Sequence, residues 1–337
     1  MQRKFYIKSL LIALPFLLLV GYYVAADPFM VLRSYTDYDH SRVYQSEGTI
    51  SWLKYKRFRA LRHYDSFVMG TSTTMSFQTT YWSKYIQGSP FRMFGNNETI
   101  GDIALKLEAL DRQEGQKIKN ILIVLEANSL AKPQPQSGIM HAVPPEVSGQ
   151  SECVFQAMFL QSFFTPKFLF PYLQYQFTHQ YTYKMKGVIE PTLPTRATYT
   201  NDAVIDADNQ IKATGEKYWT DGPGKPLKEH TYTVRTAPQY IYSQQRECLQ
   251  RIYEICRRHQ TKFKIIISPR LDKVLTNPSD VKILEEIFGK EHVFNFASRP
   301  YLAWSDYHNF YDDTHFSIAL GCRILDIIYD KKITSIK

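Results

Sequence analysis

A chain of 337 residues with 44% hydrophobic and 22% charged content can bury one large core, or a core plus an insertion, which excludes a disordered protein. Of the net charge of +9, three units are Arg3, Lys4 and Lys8; the remainder is a mild, diffuse excess that suits anionic lipid or polysaccharide and not nucleic acid. Cys153, Cys248, Cys256 and Cys322 are too few and too scattered for a disulfide scaffold and lack zinc-site spacing. Cys248 and Cys256 share one predicted helix about 12 Å apart along its axis, so buried free thiols are expected.

The basic N-terminus leads into "SLLIALPFLLLVGYYVAA", residues 9–26, uncharged throughout. It can be read as a cleaved signal peptide ending in the small residues at 24–26, or as an uncleaved anchor over 1–27. Its length and the interfacial Tyr22 and Tyr23 favour an N-terminal transmembrane helix. The charge ahead of it places the N-terminus in the cytoplasm. A single-pass cell-membrane protein is then expected, its catalytic domain outside the cytoplasm on the periplasmic side.

Residues 28–63 read as a linker and lead-in. From 64 to 131, and again from 237 to 337, short apolar runs alternate with amphipathic helical patterns, the signature of a parallel sheet covered on both faces. Strands are predicted at 66–69, 91–94, 120–125, 263–267 and 292–296. Helices are predicted at 73–85, 99–112, 238–259, 279–288 and 317–329. In the third of these, Ile241, Cys248, Leu249, Ile252, Ile255 and Cys256 recur on one face. The fold class expected is α/β, a three-layer doubly wound parallel sheet.

Residues 132–236 break this rhythm with prolines, polar stretches and an aromatic run from 155 to 183. A structureless loop of that length is improbable, so a partly helical insertion is expected, shaping the substrate cleft. The aromatic run can stack on sugar or lie on a membrane, although packing against the host domain is the commoner use of such residues.

In a doubly wound sheet reactive groups gather at the C-terminal strand ends, and "MGTSTT" (69–74) stands there after the first strand. Ser72 near a helix start is placed to cap that helix, as is Thr73, or to act as a nucleophile helped by free amides. Near the other end, "YDDTHFS" puts Asp312 three residues before His315, a spacing that lets a carboxylate fix the imidazole tautomer for proton abstraction.

A Gly-X-Ser after the first strand, combined with Asp-X-X-His before the last helix, resembles the SGNH, or GDSL-like, hydrolase superfamily. The closest resemblance is to its membrane-anchored extracytoplasmic branch, similar to the teichoic-acid D-alanylation and alginate O-acetylation proteins. The Asp27-Pro28 pair after the apolar segment also fits that branch. The resemblance covers about 66–329 without the insertion and implies that superfamily's flavodoxin-like arrangement. It also implies a Ser72 nucleophile, a His315 base and an Asp312 orienting acid, with Asp313 the rival for the last role. Oxyanion donors implied by it are the Ser72 amide, Gly95, Asn96 or Asn97 after the second strand, and Asn128 after the third. Thr71 departs from the usual Gly-Asp-Ser, and no Gly-X-Asn-Asp block surrounds Asn128.

Arg270, after the fourth strand, can reach an anionic substrate group or be an ordinary surface arginine, and His308 can line the same cleft. No cofactor signature is visible, and serine acyl transfer needs none. The resemblance therefore implies a serine acyltransferase or esterase acting on a cell-envelope glycan, with a membrane-bound O-acyltransferase as partner. The competing expectation is a non-catalytic glycan- or partner-binding envelope protein. The two are separated by the distance from the Ser72 hydroxyl to the His315 ring.

Overall fold

A computed structural model describes residues 2–330, apart from the side chains at 2–5, 7, 9, 10 and 128. Five parallel strands form the central sheet: β1 (Ser66–Gly70), β2 (Pro90–Phe94), β3 (Asn120–Leu125), β4 (Lys262–Ile267) and β5 (Val293–Asn295). Their spatial order is β2-β1-β3-β4-β5, one of the common orders of doubly wound sheets, with the switch of winding direction between β1 and β3. Every strand end lies within one residue of its predicted position.

The strands read as unbroken apolar runs because both faces are covered. On one face Phe67, Met69, Ile121, Ile123 and Ile265 pack under α2 (Glu47–Arg62), α3 (Ile100–Asp111), α6 (Ser243–Arg258) and α7 (Pro278–Phe288). On the other, Val68, Leu122, Val124 and Ile266 meet α8 (Ile318–Tyr329) together with Phe77, Trp82 and Trp304. Successive residues point to opposite faces, which is the period of two that a strand imposes.

Three local expectations are corrected, the first being the helix predicted at 238–259, which begins only at Ser243 because Asp280 accepts from the amides of Tyr240 and Ile241 ahead of it. The lead-in at 28–63 contains α2, whose apolar stripe of Trp52 and Tyr55 is masked in the sequence by interspersed lysines and arginines. The helix predicted at 73–85 is instead a 3-10 turn, Ser72–Ser76, followed by a short helix, Thr79–Trp82. Hydroxyls break it by competing for backbone groups: Thr74 Oγ1 donates to the Thr71 carbonyl at 2.8 Å.

The N-terminal segment forms α1 (Gln2–Ala26). Among the described residues no helix is long and apolar enough to cross a membrane, and the side chains at 9 and 10, inside the expected anchor, lie outside the described residues. Asp27 ends the helix by accepting from Val31 N and Leu32 N at 3.0 and 3.1 Å and from the Tyr35 hydroxyl at 2.9 Å.

Within 132–236 the aromatic run forms two helices, α4 (Glu152–Phe163) and α5 (Pro166–Thr178). Phe155, Phe159, Phe163 and Tyr172 build a separate core with Tyr23, Phe29 and Val43. The run therefore packs, but against the end of α1 and the lead-in and not against the sheet. All four cysteines are free thiols, Cys248 and Cys256 buried.

Candidate active site

Ser72 opens the 3-10 turn that follows β1. Reaching it requires Gly70, whose φ of +139° favours glycine and where an added Cβ would collide with the Val124 carbonyl oxygen. Thr71 caps the turn, its Oγ1 accepting from Thr73 N at 3.3 Å. The Ser72 amide heads the turn, where backbone N–H groups have no partner within the helix.

The histidine arrives on a tight hairpin ahead of α8. Phe310 and Phe316 bridge antiparallel, Tyr311 N donates to the His315 carbonyl at 2.8 Å, and Ser317 N donates to the Asn309 carbonyl at 2.7 Å. Within the hairpin Asp312 Oδ1 accepts from the amides of Thr314 and His315 at 2.9 and 2.8 Å. The same carboxylate accepts from His315 Nδ1, at 2.7 Å through Oδ2. That bond assigns the proton to Nδ1 and leaves Nε2 as acceptor, 2.7 Å from Ser72 Oγ.

Burial disfavours the Asp312 carboxylate, but the bond and charge of His315, with the two amides, outweigh it and hold the group well below the usual carboxylate range. For His315, burial works against the imidazolium. The bond and charge of Asp312, joined by Glu126 and Asp313, outweigh burial and raise its pKa.

The serine opens onto a cavity of about 250 Å³, lined by Ser72, Asn97, Glu126, Arg270, Asp313 and Thr314 among others. β1, β2, β3 and β4 each contribute residues just beyond their C-terminal ends, where such sheets collect ligands. Of the residues singled out in the sequence, Ser72, His315 and Asp312 form a continuous relay. Asn97 and Arg270 join the cavity wall, and Asp313 lines it while Asp312 holds the ring.

Others are placed elsewhere. Gly95 and Asn96 are not among the lining residues: the Gly95 amide points at the Gly70 carbonyl, 3.4 Å away, and the Asn96 carbonyl is bonded by His141 Nδ1 at 3.0 Å. The side chain of Asn128 lies outside the described residues. Arg270 is engaged by Asp272 through Nε and Nη2, at 2.8 and 2.6 Å. His308 is held between Asp306 and Glu216, at 2.5 and 2.9 Å, and does not line the cavity.

Glu126 is the residue that sequence reasoning passed over. It directly follows β3, and its Oε2 accepts from Thr71 Oγ1 at 2.6 Å. Burial pushes its carboxyl up, opposed by the Thr71 bond and the charges of His315 and Arg270. A carboxylate ending an apolar run at a C-terminal strand end was the available signal. Among the described residues no group of three or more His, Cys, Asp or Glu could hold a metal ion.

No protein-family model and no curated protein matches this chain.

Proposed function

We propose that the protein is a serine-dependent O-acyltransferase or esterase, acting outside the cytoplasm on a cell-envelope polysaccharide and tethered by α1, in the manner of the SGNH-like proteins its motifs resemble. The observation that carries the reading is the relay from Ser72 Oγ to His315 Nε2 and from Nδ1 to Asp312, with both links at 2.7 Å. That is within hydrogen-bond reach without any motion, which favours catalysis over a binding-only role.

In this mechanism Ser72 Oγ attacks an acyl carbonyl while its proton passes to His315 Nε2. The oxyanion is met by the Ser72 amide and by Asn97 across the cavity. Collapse expels the donor's alcohol, which takes the proton from the imidazolium, and leaves an ester on Ser72. A sugar hydroxyl or water, deprotonated by His315, then attacks that ester and regenerates the serine. The small cavity suits a short acyl group. Transfer is preferred to hydrolysis because the tether keeps the site beside membrane-delivered donors.

The test is covalent labelling. A fluorophosphonate should modify the wild-type protein at Ser72, as read by peptide mass spectrometry, and Ser72→Ala should abolish the adduct with the fold intact. An adduct that persists in Ser72→Ala removes Ser72 from the mechanism. Acetate release from an O-acetylated glycan, with no transfer to any sugar acceptor, would identify the esterase.

A further inference from the structure

From the surface of α4 and α5 we infer that this helical hairpin lies in the headgroup–acyl boundary of a lipid bilayer, with Phe170 and Phe177 in contact with lipid. The inference rests on the proposal that α1 is a membrane anchor.

The first observation is compositional. Lys167 is the only charged side chain between Cys153 and Tyr183, and no acidic residue occurs between Glu152 and Glu190. The exposed face of α5 sets Phe170 and Phe177 beside Lys167 and Gln174, the mixed surface of a helix that lies at an interface. α4 and α5 bury one side in the aromatic core and leave the other uncovered: Val154 is 55% exposed, Phe170 67% and Phe177 83%. Phe170 and Phe177 stand two turns apart on α5 and so share one face.

The second observation is position. Phe164 stacks on Phe16 of α1 with ring centroids 4.8 Å apart, Phe163 meets Tyr23 at 5.2 Å, and Tyr172 meets Tyr22 at 6.1 Å. Tyr22 and Tyr23 are the aromatic pair expected at the membrane surface. Phe16 lies about 10 Å along the helix axis from Tyr23, so these contacts reach from the membrane surface into the outer third of a hydrocarbon core about 30 Å thick. Leu11, Ile12 and Leu14 of α1 are exposed below them, and Leu17 and Leu18 at their level.

The third is that the turn is fit to leave water. Thr165 N donates to the Ser162 carbonyl at 3.1 Å, Thr165 Oγ1 donates to the same carbonyl at 2.8 Å, and Leu169 N donates to the Thr165 carbonyl at 2.8 Å. Backbone groups satisfied within the segment are what a lipid surface demands. Lys184 and Lys186 beyond α5 supply cations that suit anionic headgroups, and Lys167 at the deeper turn can extend its ammonium toward them.

The experiment places the full chain, with Cys153→Ser and Cys322→Ser, in vesicles of phosphatidylethanolamine and phosphatidylglycerol. An NBD fluorophore is attached in turn at Phe170→Cys, Phe177→Cys, Leu17→Cys on α1 and Lys282→Cys on α7. Near-UV circular dichroism verifies that each variant keeps the native fold. Nitroxide high on the lipid acyl chain should quench the labels at 170, 177 and 17 several-fold more than the label at 282. Quenching at 17 with 170 and 177 as bright as 282 overturns the inference and leaves the anchor standing, the apolar face then belonging to a protein partner. A label at 17 quenched no more than the label at 282 sinks the anchor reading, and this inference with it.

Discussion

In the proposed relay His315 serves as base because a neighbour three residues away holds its ring, and the cost of that grip is a raised pKa. A base must be neutral to accept the Ser72 proton, so Ser72 acylation should rise with pH through a midpoint above the ordinary histidine value near 6.5. Asp312→Asn removes the leading cause of the rise and leaves burial, so the midpoint should move down while the rate falls on the order of 10³–10⁴-fold. An unchanged midpoint in a pH series of labelling rates would remove Asp312 as the orienting acid. The linkage to stability has two edges. Asp312, depressed, contributes stability above its unfolded value that is lost as pH falls through the folded one. His315, raised, contributes stability below its unfolded value that is lost as pH rises through the folded one. Asp312 and His315 were legible in the sequence because their pairing is a local turn. Glu126 was not, because its meaning comes from Thr71 and His315, which only the fold brings to it.

The nucleophile turn and α8 form the joint that aligns the relay. Ser76 Oγ donates to the Phe316 carbonyl, and Phe77 packs edge-on against Phe316 with centroids 5.7 Å apart. Gly321 lets α8 approach so closely that an added Cβ would collide with the Ser76 carbonyl oxygen. Gly321→Ala should therefore destabilise the protein by about 1–3 kcal/mol despite alanine's better helix propensity, because the clash is with backbone that cannot turn aside. It should also slow Ser72 labelling. A higher urea midpoint for the variant would show that the joint is looser than described. The insertion supports the other half: Tyr311 donates its hydroxyl to Asp208 at 2.7 Å, and Tyr218 donates to the Tyr311 carbonyl at 3.0 Å.

The insertion is also stitched across the open edge of the sheet. Arg92 N on β2 donates to the Thr200 carbonyl, and Asn201 Nδ2 donates to the Arg92 carbonyl, both at 2.9 Å, so an edge strand that would otherwise invite pairing is covered. Arg196, nearly buried, binds Asp39 and Glu47 from the lead-in, while Lys54 of α2 reaches the same Asp39 at 2.9 Å. Removing one member of such a buried set is costly, so Arg196→Met should lose roughly 3 kcal/mol in chemical denaturation. A loss below about 1 kcal/mol would mean that the strap contributes little to stability.

Strand positions, the faces of α3, α6, α7 and α8, and the Asp312–His315 turn follow from local patterns, because periodicity and short-range hydrogen bonding are written in neighbouring residues. The break after Ser76 came from local hydroxyls, whereas the helix hidden in the lead-in was settled by contacts with distant partners. So was the approach of Ser72 to His315, which lie 243 positions apart. Free energy for such meetings comes from packing between elements, here Gly321 against Ser76 and the β2-β1-β3-β4-β5 order, and no short stretch of sequence contains both sides of it.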